Sequence, residues 1–231
     1  MADEVTTAAA ARALEATSLY RFFRSGEEET LALRGVSLHV EVGEILAVTG
    51  PSGSGKSTLL ACLAGLDEPT AGTVRVAGNR MTDRPESERA ALRARHVGVL
   101  FQSSNLFGHL TVEENVRLAQ RIPNETSGAP EPTEVLARMG LAGRAQALPS
   151  QLSGGEAARA GLAVALANDP AVLLADEPTG ELDGATEQRL LDLLRAHADR
   201  GCAILLVSHS PDVVASADRV ISLNDGQVEH Q

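Results

Sequence analysis

Gly50-Pro51-Ser52-Gly53-Ser54-Gly55-Lys56-Ser57-Thr58 is the stretch that decides the fold of this 231-residue chain. It fits the pattern G-x-x-x-x-G-K-[ST]. An apolar run, Glu44 to Thr49, leads into it and reads as a strand; a helical pattern, Lys56 to Ala64, leads out. Glycines at these offsets let backbone N–H groups turn inward, and the helix start adds its partial positive charge. Together they make a cradle for phosphate oxygens. Lys56 is placed to reach the β- and γ-phosphates of a nucleotide, and the Ser57 hydroxyl to ligate Mg²⁺.

Lys56 also stands out in composition. Of the 20 Lys and Arg residues it alone is lysine. A compact ammonium and a planar guanidinium are not interchangeable among phosphate oxygens.

Further along, Val172-Leu173-Leu174-Ala175-Asp176-Glu177 reads as a buried strand ending in two carboxylates. The ends of parallel strands are where α/β sheets bind ligands. Asp176 is placed to hold Mg²⁺, and Glu177 to polarise an attacking water. Other short apolar runs are Leu38 to Val42, Gly72 to Val76, Val97 to Leu100 and Ala203 to Val207. They alternate with helical patterns: one opened by the capping box Thr111-Val112-Glu113-Glu114, a short one around Val135 to Met139, one from Ser153 to Leu166, and one from Gly184 to Arg200. Arg219 to Glu229 reads as a hairpin turning at Asp225-Gly226, and Pro123 to Pro132 as a loop. This alternation predicts an α/β fold with a mainly parallel sheet covered on both faces. The mostly helical middle third, about 103–165, is expected to form a side lobe.

Composition narrows the function. The net charge is −11, against a nucleic-acid partner and against adhesion to an anionic lipid surface. Aromatics are 2% of the chain, so the core must be aliphatic. No run approaches the ~20 apolar residues of a spanning helix, and Met1 to Arg12 lacks the pattern of a secretory signal. Cys62 and Cys202 lie in apolar segments and read as buried thiols.

Leu152-Ser153-Gly154-Gly155-Glu156 supplies a second helix start suited to an anion, one more than a single nucleotide needs. With this motif the chain resembles the ATP-binding cassette (ABC) ATPases, from about Thr17 to Glu229. The resemblance implies a P-loop NTPase (RecA-like) core with a mainly parallel sheet, a small antiparallel β region and a helical side lobe. It implies that Ser153, Gly154 and Gly155 contact the γ-phosphate of ATP held by another subunit, in a homodimer or with a paired ABC subunit. Gln102 resembles the loop glutamine that senses Mg²⁺ and water. Asp183, in Gly180-Glu181-Leu182-Asp183, resembles the aspartate that crosses the dimer interface, and His209 the switch histidine on the γ-phosphate. Tyr20, Phe22 and Phe23 are candidates to stack on adenine. Phe23, three residues before Gly26, has a spacing found in one branch of the family. Gly180-Glu181, where many importers have Ser-Ala, and His109 to Val116 resemble the lipoprotein-release, macrolide-export and antimicrobial-peptide-export branch. Departures are Glu156 where glutamine is commoner, Val164 where an arginine is usual, and a short Pro123 to Pro132 segment.

These readings predict a tail over residues 1–16 and a single ATPase domain over 17–231. They predict an ATP- and Mg²⁺-dependent ATPase subunit of a membrane exporter or force transducer. It would be cytoplasmic and held at the inner face of the membrane by an integral permease subunit, without inserting itself. The alternatives are a soluble cassette acting on ribosomes or DNA, and an ATP-binding regulator that does not hydrolyse. The permease is expected to dock in a groove lined by Gln102 to His109, with Leu106, Phe107 and Leu110 as apolar contacts and Phe107 partly exposed.

Overall fold

Hydrophobic alternation organises the core. In the computed structural model, which describes residues 11–25, 28–101, 105–122, 129–180 and 182–229, two sheets stack with helices between and around them. The chain opens with a long hairpin, β1 (Arg12–Ser25) and β2 (Glu28–Glu41). Next come β3 (Ile45–Thr49), α1 (Lys56–Leu63), β4 (Ala71–Val76) and β5 (Asn79–Arg80). α2 (Glu86–His96) and β6 (Val97–Leu100) lead to the lobe helices α3 (Val112–Arg121), α4 (Pro132–Arg138) and α5 (Gly154–Ala165). The chain closes with β7 (Val172–Asp176), α6 (Gly184–Ala198), β8 (Ala203–Val207), α7 (Pro211–Ser216), β9 (Arg219–Asn224) and β10 (Gln227–Glu229).

The larger sheet has the order β10-β9-β3-β8-β7-β6, parallel except for β10. Its side chains divide by the two-residue period of a strand. Leu46, Val48, Leu174, Leu205 and Val207 face one core, shared with α1 and the antiparallel sheet β2-β1-β4-β5. Ile45, Leu173, Ala175, Ile204 and Leu206 face the other, shared with α5, α6 and the lobe residues Val112, Val116, Leu136 and Met139. The lobe is thus packed continuously onto one face of the sheet. Each fully buried leucine in these layers contributes roughly 1.5–3 kcal/mol by leaving water.

The expected α/β architecture is present, with corrections at its edges. The tail expected through Ala16 is instead strand from Arg12, and Ala13, Leu14 and Ala16 are buried. Alanine, serine and threonine blur the alternation there. The strand forms because it is paired on both sides, Leu14 with Val40 and with Val76. Pro132, read as the end of a loop, occupies the first turn of α4, where a missing N–H costs nothing. The capping box at Thr111 forms as read, with Glu114 N donating to Thr111 Oγ1 and Thr111 N to Glu114 Oε2. α2 and α7 were not legible. The first buries no residue and the second only Val213, so neither carries an apolar stripe.

Candidate functional site

The glycine-rich loop joins the end of β3 to the start of α1, on the edge of the sheet where the parallel strands end. Gly50 has φ 145°, and a Cβ there would fall 2.0 Å from the Leu223 carbonyl oxygen of β9. Only glycine lets the loop pass under that strand. Lys56 Nζ donates to the Gly50 carbonyl at 2.7 Å and to the Pro51 carbonyl at 2.9 Å, which holds the buried ammonium at the loop's mouth. An ammonium has three donors, so one remains for a phosphate. Ser54 Oγ, also buried in the loop, has no hydrogen-bond partner among the described residues.

Two strand ends bring the other reactive groups to this loop. Ser57 Oγ donates to Asp176 Oδ2 at 3.2 Å. Burial raises the Asp176 pKa above the usual carboxylate range, the Ser57 hydrogen bond opposes this, and the Glu177 charge adds to it. A desolvated carboxylate beside a hydroxyl, with a second carboxylate next to it, is a hard-oxygen set of the kind Mg²⁺ takes. Glu177 has φ 47°, a left-handed conformation uncommon outside glycine. Its carboxylate accepts from Ser208 Oγ at 3.2 Å and from His209 N at 3.4 Å, and lies 3.5 Å from His209 Nε2. Strain of this kind at a converging polar cluster points to function. Ser208 was not foreseen. It is buried directly before His209 at the end of β8, and only the pairing of β7 with β8 brings it to Glu177.

Lys56, Ser57, Asp176, Glu177 and His209 open into one cavity of about 500 Å³, while Gly50, Pro51, Ser54 and Ser208 do not line it. Its lining includes Ser52, Gly53, Gly55, Lys56, Ser57, Thr58, Asp176, Glu177 and His209. Phe23 lines it as well, while Tyr20 lies with its hydroxyl against Gly35. Thr30, Leu31, Ala32, Arg34, Asp225 and Gly226 complete the wall and were not predicted. They come from β2 and from the β9–β10 turn, which is pinned to the loop by Gly226 N donating to Ser54 O at 3.0 Å.

Ser153, Gly154, Gly155 and Asp183 are not part of this cavity. Ser153 caps α5, accepting from Glu156 N while its own N–H donates to Glu156 Oε2 at 2.9 Å. The Ser153 backbone N–H and the Arg144 guanidinium hold the Glu156 pKa down to about 2. Asp183 caps α6 through Thr186 N at 2.9 Å, which lowers its pKa. The two helix starts abut, since a Cβ on Gly155 would lie 2.4 Å from Thr186 Cγ2. Gln102 lies outside the described residues.

Part of the segment expected to line a docking groove, Gln102 to His109, borders an apolar hollow. This hollow, of about 360 Å³, is lined by Leu66, Val97, Val99, Phe101, Ile122 and Val164, and by Asn105 from the expected segment. Leu106 packs on the lobe core instead, and Leu110 lines a different hollow beside Leu118. Phe107 is 55% exposed and stands edge-on to His109. Cys62 and Cys202 are buried free thiols, and burial pushes both up to about 12. Among the described residues no helix is long and apolar enough to cross a membrane.

A glycine loop with its lysine, a hydroxyl and carboxylate pair of the kind Mg²⁺ takes, and a strained glutamate beside a histidine, all on a parallel sheet, define a P-loop ATPase. The chain belongs to the ABC transporter family, whose model matches residues 33–180. It is 41% identical over 223 residues to the macrolide export ATP-binding/permease protein MacB of Salmonella choleraesuis (strain SC-B67), covering 94% of this chain and 34% of that protein. It is 40% identical to MacB of Escherichia coli (strain K12), again covering 34% of that protein. The chain therefore spans about a third of the length of these relatives. A solved dimeric structure of the ATP-binding cassette MJ0796, in a post-hydrolysis state bound to ADP and Pi, superposes with a TM-score of 0.86. It is 35% identical, with 94% of this chain and 97% of that chain covered. The chain is thus an ABC-type ATPase of the branch that contains the MacB cassettes.

Proposed function

We propose that the chain is the ATP-hydrolysing subunit of a membrane exporter or membrane-force transducer, and that two copies clamp two ATP molecules between them. The observation that carries the clamp is the separation of two anion-binding helix starts. α1 opens into the nucleotide cavity, whereas the exposed Ser153 at the start of α5, with Asp183 of the abutting α6, lies outside it. A second molecule can present its nucleotide to Ser153, Gly154, Gly155 and Asp183.

Within one site, Phe23 stacks on adenine and the backbone N–H groups of the 50–58 loop, Pro51 having none, hold the phosphates. Lys56 neutralises the β- and γ-phosphates. Ser57 and Asp176 would hold Mg²⁺, with Gln102 as a further contact, and the ion would offset charge on the phosphate oxygens. Glu177 accepts the proton of the attacking water, and His209 donates to the γ-phosphate. The groove rimmed by Leu66, Phe101 and Ile122 is the seat for an integral permease subunit. Its apolar lining suits burial by a protein, and the acidic net charge disfavours direct lipid contact. The chain would then sit at the cytoplasmic face of the membrane.

The test is oligomeric state. Glu177→Gln with Mg-ATP should run as a dimer on size exclusion with light scattering, and adding Ser153→Arg should return it to monomer. A nucleotide-independent dimer that ignores Ser153→Arg defeats the clamp.

A further inference from the structure

Phe23 does not stand alone. The Arg21 guanidinium lies over its ring, 4.7 Å from the centroid. Arg21 is itself gripped at two points, Nε to Asp67 Oδ2 and Nη2 to Asp67 Oδ1, both at 2.8 Å. The pair is half-buried, with side chains 25% and 30% exposed, so solvent weakens it less than it does a surface pair. A bidentate guanidinium has little freedom left, and it holds a defined position over the Phe23 ring. Arg21 covers one face of Phe23, while Phe23 itself lines the nucleotide cavity.

Asp67 ties this arrangement to the phosphate end of the site. Its N–H donates to Ala61 O at 3.1 Å and so closes the last turn of α1, the helix whose first residues are Lys56 and Ser57. Thr70, in the same connection, donates its N–H to Tyr20 O at 2.7 Å, and its Oγ1 accepts from Phe22 N at 3.2 Å. The segment leaving α1 therefore grips β1 at Tyr20, Arg21 and Phe22. Across roughly 12 Å of helix, one rigid element sets the spacing between phosphate loop and aromatic platform.

We propose that Arg21, locked by Asp67, is a positioning residue for the nucleotide base, fixing Phe23 so that its uncovered face seats a purine in an Arg21–Phe23–purine stack. This rests on the reading of Phe23 as the base platform. The cation on one face also draws electron density toward itself, which leaves the opposite face better suited to an electron-rich purine.

The experiment compares Mg-ATP with Mg-tripolyphosphate, a ligand without a base, by calorimetry on the 231-residue chain. Phe23→Ala should weaken ATP about ten-fold or more, the size of one base–aromatic stack. Arg21→Gln should weaken ATP about five-fold, the size of a partly desolvated cation–π contact. Asp67→Asn should fall in the same direction. Tripolyphosphate affinity should stay within about two-fold throughout, since contacts to the phosphates are made elsewhere. In the Phe23→Ala background, Arg21→Gln should cost nothing more. If Phe23→Ala weakens ATP and Arg21→Gln does not, the positioning role is wrong and the platform stands. If Phe23→Ala has no effect, the platform reading fails and the positioning role with it. An equal loss of tripolyphosphate in Arg21→Gln, or an additive loss in the double variant, makes Arg21 a structural residue only and overturns the proposal.

Discussion

The starts of α1 and α5 both lie beside glycine and serine, yet they are finished in opposite ways. α1 has Gly55 at its cap with φ 102°, no side-chain capping bond and no acidic residue in its first turn. Its first N–H groups and its dipole are left to a ligand inside the chain's own cavity. α5 caps itself through Ser153 and Glu156, and the acid in its first turn is neutralised by Arg144 at 2.8 Å. It is stable before any ligand arrives and faces outward. On the proposed clamp, the difference separates a helix start that carries the chemistry from one that answers to a neighbour's nucleotide.

The largest expected effect is at the uncapped start. Lys56→Ala should lower turnover about a thousand-fold, as the loss of a preorganised charge on a transferring phosphate does. Lys56→Arg should also fail, because a guanidinium cannot make the two carbonyl contacts and still present a compact charge. A steady-state phosphate-release assay reads both, and near-normal turnover in either would erase the contrast.

Glu177→Gln should come next, about 100-fold slower with ATP still bound, because the amide keeps the shape and loses the basicity. Ser208→Ala removes one of the two donors that hold this carboxylate and should slow hydrolysis less than Glu177→Gln does. Single-turnover kinetics order the two variants. The reverse order would make Ser208, not Glu177, the group that positions the water.

The smallest effect tests the self-capped start. Ser153→Ala should cost about 1 kcal/mol of stability, read as a lower urea midpoint at unchanged slope. Tripolyphosphate binding to the isolated chain should not change, because α5 lies outside the cavity. A change in that affinity would mean that α5 serves its own chain's nucleotide.

Legibility followed the distance over which each feature is built. The loop 50–58, the strand ending at Asp176 and Glu177, and the capping box at Thr111 were readable because each is a local pattern with its own physical requirement. The sheet's five parallel strands were readable from apolar runs that must be buried on both faces. β1 and the part of β2 before Leu38 were missed, β1 because small residues hide its alternation, and α2 was missed because it buries nothing. Leu106 and Leu110 have the apolarity of contact residues, but Leu106 packs on the lobe core and Leu110 lines a hollow beside Leu118.

By itself the sequence determined a loop built for phosphates, a carboxylate pair placed beside it and a parallel α/β ATPase fold. Those features reside in contiguous residues whose spacing is set by backbone geometry. Only the tertiary structure selected Phe23 over Tyr20 and Phe22 at the cavity wall, and joined Arg21 to Asp67, Ser208 to Glu177 and Gly226 to the loop. These partners are separated by 46 residues in the first case and 31 in the second, and no local pattern encodes them. Strand pairing and helix packing bring them together, because a buried backbone must find its hydrogen bonds and a buried charge its counter-charge wherever the fold supplies them.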